Sequence, residues 1–243
     1  MDIKRFYVSS EDINNNICKI TGNEFYHLTK VLRHKVGFII IVCNNIDGKD
    51  YYAKLTEINK DYALAEIYDA IDNECKTNVD ITLYQALPKG DKIDLITQKA
   101  VELGISNIKI FNSKYVSESK FNIDRLDRIN LEACKQCGRS RVANINGVLD
   151  FSSMLLELDH YDKVLVCYEN EKVNNFKTAL ENFKGKSLAL IIGSEGGFDI
   201  EEIEKIREHA GISVTLGSRI LRAETASIVG VALAMYELGE LNR

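Results

Sequence analysis

The chain is poor in several things that would have made it easy to classify. A single proline, Pro88, stands among its 243 residues, so its turns rely on Gly, Asn and Asp. The four histidines (His27, His34, His160 and His209) fall in no HExxH or other metal spacing. Six cysteines are scattered, and Cys134 with Cys137 form the only CxxC. With no second pair and no histidine at ligand spacing, a metal site is not expected. No stretch of about 18 uncharged apolar residues marks a membrane span. The first residues, Met1 to Phe6, lack the apolar core of a signal peptide. A cytoplasmic protein with reduced thiols and no membrane association is therefore expected. No lysine follows Gly197 to make a phosphate loop, no GxGxxG follows the first strand of the α/β region, and no GxSxG surrounds Ser194. The common signatures of phosphoryl, hydride and acyl transfer are all missing.

What is present reads as two parts. With 45% hydrophobic and 28% charged residues, an ordinary folded core is expected. Net charge is −5, which excludes a surface coated in positive charge but not a local basic patch. Up to about residue 70 the pattern is β-rich: Arg5 to Val8, Phe38 to Cys43, Tyr51 to Glu57 and Tyr62 to Ile67, with a turn signal at Asn44–Lys49 and a helix over Asn23–Arg33. Short strands with turn signals predict a small barrel over residues 1–72. Asp69 to Asp80 is polar and aperiodic and reads as a linker.

From residue 73 to 243 strands alternate with helices. Ile81–Ala86, Ile108–Phe111, Val164–Tyr168, Leu188–Ile192 and Val214–Leu216 are apolar on both faces, as buried parallel strands are. One helix carries Ile93, Ile96, Ala100 and Leu103 and stops at Gly104; the next carries Leu126, Ile129, Ala133 and Cys137 and stops at Gly138. A third starts at Asp199, with Glu202 placed for a capping box, and stops at Gly211. The last, Thr225–Leu238, is apolar nearly all round, which predicts a buried position or a subunit interface.

Two glycine-bearing loops stand beside the last strands: Gly193-Ser194-Glu195-Gly196-Gly197-Phe198 after Leu188–Ile192, and Leu216 to Ala226 after Ser213-Val214-Thr215. Glycine lets backbone turn sharply and approach a ligand closely, and open α/β sheets bind ligands at the carboxyl ends of their strands. Two such loops, separated by one helix, would wrap one small molecule, an adenine ring among the candidates.

Five segments in order resemble the RsmE family of 16S ribosomal RNA uridine N3-methyltransferases, in the SPOUT superfamily. They are Arg5-Phe6-Tyr7-Val8 with His27 to Arg33, Lys89-Gly90-Asp91-Lys92 with Gln98 to Gly104, Glu132 to Arg139, and the two loops. The resemblance implies an α/β fold with a SPOUT-type parallel sheet and a C-terminal trefoil knot, preceded by a PUA-like RNA-binding β-barrel. It also implies S-adenosyl-L-methionine as cofactor, 16S rRNA of the small ribosomal subunit near its decoding region as substrate, and a homodimer. Departures from the family pattern are Ser194 in place of proline, Ser113-Lys114-Tyr115-Val116 where Glu-Arg and then Ser are usual, and Gly37-Phe38 in place of Gly-Asp.

On this resemblance the cofactor would be held by Gly193, Glu195, Gly196, Gly197, Leu216, Gly217, Ile220, Leu221, Arg222, Thr225 and Ala226. Tyr168 and Glu169 would reach the ribose. Uridine N3 is a poor nucleophile while protonated, so the transfer needs its anion steadied. A guanidinium stays charged and donates in a fixed fork, which makes Arg139 and Arg222 the catalytic candidates. Arg139 otherwise contacts phosphate, and Arg222 otherwise holds the loop or the cofactor carboxylate. Glu195 and Glu224 are either bases or helix caps, with capping favoured for Glu224. Lys4, Arg5, Lys30, Arg33 and Lys35, extended by Lys89, Lys92 and Arg141, would meet RNA phosphates. Two other readings stay open: methylation of another rRNA or tRNA position, and an RNA-binding assembly factor without turnover.

Overall fold

The computed structural model describes residues 3–116 and 122–242. The chain clusters into two compact units. One holds the residues up to Lys76 together with Cys134–Val142; the other holds Thr77–Ala133 and the chain from Ala143 onward.

The first unit is a six-stranded sheet. Its strands are β1 (Arg5–Tyr7), β2 (Ile13–Asn14), β3 (Ile17–Thr21), β4 (Ile39–Cys43), β5 (Lys49–Ile58) and β6 (Tyr62–Asp72), in the order β1-β4-β5-β6-β3-β2. Only the β1–β4 pairing is parallel. Alternate residues of β3 are fully buried, as one-sided strands require. Phe6, Ile20, Ile40, Val42, Leu55, Ala63 and Ala65, from five strands, meet in one cluster, so the sheet curls round its own core. The helix expected over Asn23–Arg33 is a short α1 (Gly22–Tyr26) running into one π-helical turn, His27–Val31. Leu28 is buried there, while Val31 is 58% exposed. The expected linker is shorter than its composition suggests, because β6 continues to Asp72 and the next strand begins at Asp80.

The second unit is an all-parallel sheet with helices between its strands. In chain order its elements are β7 (Asp80–Ala86), α2 (Lys92–Glu102), β8 (Asn107–Phe111), α3 (Ile123–Cys137), β9 (Asn144–Leu149), α4 (Phe151–Leu158), β10 (Lys163–Cys167), α5 (Phe176–Leu180), β11 (Ser187–Ile192), α6 (Ile200–Glu208), β12 (Gly211–Val214) and α7 (Ala223–Glu237). The strand order is β12-β10-β11-β7-β8-β9. The chain runs outward through β7, β8 and β9, returns to β10 on the other side, and then places β11 between β10 and β7. Strand order therefore reverses at β7, where a ligand crevice is expected.

Two helices differ in detail from their sequence reading. At the end of α6 the left-handed residue is Ala210, with φ +58, not Gly211, which opens β12. A Cβ on Gly211 would lie 2.4 Å from Ile206 Cγ2 and 2.6 Å from the Ile206 carbonyl oxygen. The glycine is required by space, so Gly211→Ala is expected to destabilise the protein by about 2 kcal/mol, read as a lowered melting temperature. The other is α7, which is covered on one side only. Ser227, Gly230, Val231, Ala234 and Met235 are buried, whereas Val229 and Leu233 are half-buried and Tyr236 is 56% exposed. Gly230 allows the close approach: its missing Cβ would sit 3.2 Å from Ile192 and 3.5 Å from Cys167 Sγ.

Candidate functional site

A cavity of about 1000 Å³ opens at the carboxyl ends of β10, β11 and β12, within the size range of sites for nucleotide-sized ligands. The loop after β11 makes one wall. It closes as a tight turn, the Gly197 N–H donating to the Ser194 carbonyl at 3.0 Å. Gly193, Gly197 and Phe198 are each set by a neighbour. The buried Gln85 amide donates to the Gly193 carbonyl at 3.3 Å, while its carbonyl accepts from the Ser227 hydroxyl of α7 at 2.5 Å. The missing Cβ of Gly197 leaves room for the Glu169 carboxylate, and Gly197 holds φ +66. Phe198 is buried and stacks on Phe111 with ring centroids 6.4 Å apart.

Glu195 is held from the start of α2. Lys92 Nζ donates to it at 2.5 Å and the Lys89 N–H donates at 3.1 Å. Lys92 also approaches Glu224 in the first turn of α7 at 3.7 Å. Partial burial works against ionisation of Glu195, but Lys92 and the Lys89 N–H outweigh it and hold the carboxyl below its usual range. Lys92 is raised above the ordinary lysine value by its hydrogen bond to Glu195. A carboxylate held ionised is a weak proton acceptor, and Glu195 ties the glycine loop to the start of α2. A carboxylate of depressed pKa contributes to a site above its ordinary pKa, and the contribution is lost as pH falls through the depressed value. Ligand affinity of the cavity is thus expected to be flat from about pH 5 to 8 and to fall only in stronger acid. In Lys92→Met that fall should move up toward the ordinary glutamate range, measurable by calorimetric titration at several pH values.

The second loop follows β12. The Gly217 N–H donates to the Thr215 hydroxyl at 3.1 Å, and the Thr215 N–H donates to the Asn174 carbonyl at 2.9 Å. Arg222 is the N-cap residue of α7, its carbonyl accepting from the Ala226 N–H at 2.8 Å.

The cavity gathers most of the residues singled out in the sequence. Tyr168, Glu169, Gly193, Glu195, Gly196, Gly197, Leu216, Gly217, Ile220, Leu221, Arg222 and Ala226 all line it. Thr225 does not, because one helical step turns it outward to solvent. Lys92, expected on an RNA-facing surface, lines the cavity instead, its charge matched by Glu195. Sequence reasoning missed Lys172, Arg219 and the Gln85–Ser227 pair, which carry no motif of their own.

The remaining candidates lie in other surroundings. In the first unit, Lys30, Arg33, Lys35 and Arg141 are exposed. Arg5 is turned inward, its guanidinium 2.6 Å from the buried Asp50, so its charge is committed to the fold. Arg139 is 9% exposed and its carbonyl accepts from the Tyr7 hydroxyl. It follows Gly138, which closes α3 with φ +85. Arg139 is not among the residues that line the cavity. In the second unit, Lys89 is exposed.

Fold and cavity define a ligand-binding α/β domain of the RNA methyltransferase class joined to a PUA domain. Residues 75–235 match the RNA methyltransferase domain family, and residues 20–68 match the RNA methyltransferase PUA domain. The chain is 30% identical over 233 residues to ribosomal RNA small subunit methyltransferase E of Bacillus subtilis, covering 90% of this chain and 89% of that one. It is 32% identical over 233 residues to the protein of the same name from Mesomycoplasma hyopneumoniae, covering 92% and 95%. A crystal structure of ribosomal RNA small subunit methyltransferase E from Neisseria gonorrhoeae bound to S-adenosyl methionine superposes with a TM-score of 0.80 at 27% identity, covering 97% of this chain and 98% of that one. The chain belongs to the ribosomal RNA small subunit methyltransferase E family. Among the described residues no helix is long and apolar enough to cross a membrane.

Proposed function

We propose that this protein transfers a methyl group from S-adenosylmethionine to N3 of one uridine in 16S ribosomal RNA, near the decoding region of the small subunit. The observation that carries the reading is the cavity at the strand ends, walled by two glycine-bearing loops in a chain of this family. Its residues fit the cofactor. Gly193, Gly196 and Gly197 bring bare backbone to one wall, and Leu216 and Leu221 give the other an apolar surface. The Glu169 carboxylate lies beside Gly197 in the cavity lining and would accept from ribose hydroxyls. When bound, S-adenosylmethionine supplies an electrophilic methyl on a sulfonium.

The chain's own residues must orient the uridine and steady its N3 anion. Arg222, in the cavity lining, is assigned the second task, because a guanidinium stays protonated at neutral pH and is preorganised. Arg139 is assigned to RNA contact or to the same anion, and the exposed Lys30, Arg33, Lys35, Lys89 and Arg141 to phosphates. The half-buried apolar side of α7, with Val229 and Leu233, supports a homodimer. The placement of β11 between β10 and β7 supports the knotted threading. With no membrane-spanning helix among the described residues, a cytoplasmic location is part of the same reading.

The test is incubation with labelled S-adenosylmethionine and small ribosomal subunits lacking the modification, followed by nuclease digestion and mass spectrometry. Label as 3-methyluridine at one position is expected. Label at another base would move the substrate elsewhere, and cofactor binding without incorporation would favour an assembly factor.

A further inference from the structure

The turn Ser113–Val116 follows β8 and is closed by the Val116 N–H donating to the Ser113 carbonyl at 3.1 Å. None of its residues lines the cavity. It is nevertheless bound to the segment that immediately follows the first glycine loop. Asp199 divides its carboxylate between two tasks. Oδ1 accepts from the Glu201 N–H at 3.0 Å and caps α6, while Oδ2 accepts from Lys114 Nζ and from the Tyr115 hydroxyl, both at 2.8 Å. Glu202 divides in the same way: Oε2 accepts from the Asp199 N–H at 3.0 Å and Oε1 from the Lys114 N–H at 2.8 Å. A capping box needs only Asp199 and Glu202. The bonds from Lys114 and Tyr115 are additional.

The same turn stands behind the loop. A Cβ on Gly196 would lie 2.5 Å from Tyr115 Cβ and 3.4 Å from the Tyr115 carbonyl oxygen. Gly196 thus has the cavity on one side and Tyr115 on the other. Lys114 is 53% exposed, and an ion pair so open to water contributes at most about 1 kcal/mol to stability. Stability is therefore a poor reason for two donors to converge on one carboxylate oxygen; fixing the direction of the loop is a better one.

We infer that Lys114 and Tyr115 are positioning residues of the cavity: anchored on Asp199 and Glu202, they form a strap that holds Gly196 and Gly197 at the height from which their backbone meets the ligand. The inference rests on the cavity's being the S-adenosylmethionine site, and its test separates the two ideas.

In the full-length protein, S-adenosylmethionine affinity would be measured by calorimetry for Gly196→Ala, Tyr115→Gly and the double variant. Gly196→Ala is expected to weaken binding about tenfold or more, since the new methyl pushes on Tyr115 and moves the loop. On the Tyr115→Gly background the same methyl enters vacated space, so it should cost less than about threefold. Equal losses on both backgrounds would mean that the methyl obstructs the cavity directly, and would overturn the strap.

The second readout needs no cofactor. The Gly197 amide, bonded to the Ser194 carbonyl, reports opening of the loop by hydrogen exchange. In Lys114→Met/Tyr115→Phe its exchange should quicken about tenfold while core amides and the melting temperature hold. Unchanged exchange there would overturn the proposal even if the affinities moved. A wild-type protein that fails to bind S-adenosylmethionine would sink the cofactor reading alone, because the exchange result still decides the strap.

Discussion

Gly197→Ala is expected to raise the dissociation constant for S-adenosylmethionine more than tenfold while the protein remains folded. Two effects add. The backbone at Gly197 holds φ +66, and a left-handed L-residue costs about 1–2 kcal/mol. The added Cβ would also lie 2.4 Å from Glu169 Oε1, so that carboxylate, the free end of its side chain, must shift from its place in the cavity wall. That shift and any opening of the turn both deform the wall. Every 1.4 kcal/mol is about tenfold in affinity, so strain that the free loop sheds by opening, and that binding must restore, approaches that figure. Glu169→Gly removes the collision but not the strain, and loses its own ribose contact, so Gly197→Ala should cost less on the Glu169→Gly background than on the native one while still costing something. Calorimetric titration of Gly197→Ala, Glu169→Gly and the double variant checks this. An alanine protein with native affinity would show that the loop does not contact the cofactor.

Arg222→Met should lower kcat by about 10²–10³-fold with a much smaller change in cofactor affinity, the size expected when one preorganised donor to a developing anion is lost. Arg222→Lys keeps the charge but loses the planar fork, and should fall between the two. Single-turnover methylation of small subunits, with cofactor binding measured separately, distinguishes the outcomes. Parallel losses in affinity and kcat/KM with kcat intact would make Arg222 a cofactor ligand only. Arg139→Met supplies the contrast. If Arg139 contacts RNA, its substitution raises KM for subunits and leaves kcat near the native value.

The parts of this protein that were legible in its sequence are those written in hydrophobic pattern. The strands of the parallel sheet bury both faces, so β7, β8, β10 and β11 stand out as apolar runs. The capping box at Asp199 and the left-handed glycines after α2 and α3 mark their helix ends as expected. β9 was missed because most of its residues are exposed and it carries no apolar run. α5 was missed because five residues give no period to read. The cavity walls were legible because glycines at strand ends are themselves a local signal. The side chains that set those walls were not. Lys92 reads as one more surface lysine until Glu195 is seen to face it. Tyr115 and Asp199 are 84 residues apart in the chain, and no spacing announces their contact. Arg5 looks like part of a basic surface until the buried Asp50 accounts for it.

The insertion of β11 between β10 and β7 also bears on how the molecule assembles. The pairing of β7 with β11 joins Asp80 to Ser187 and Gln85 to Ile192, so a loop of about a hundred residues must close before the centre of the sheet exists, and such closure is slow. Because β11, whose following loop walls the cavity, joins β7 only across this late seam, a chain halted partway lacks a finished pocket. Ligand then stabilises only the finished molecule, and cofactor occupancy becomes a count of chains that have completed their folding.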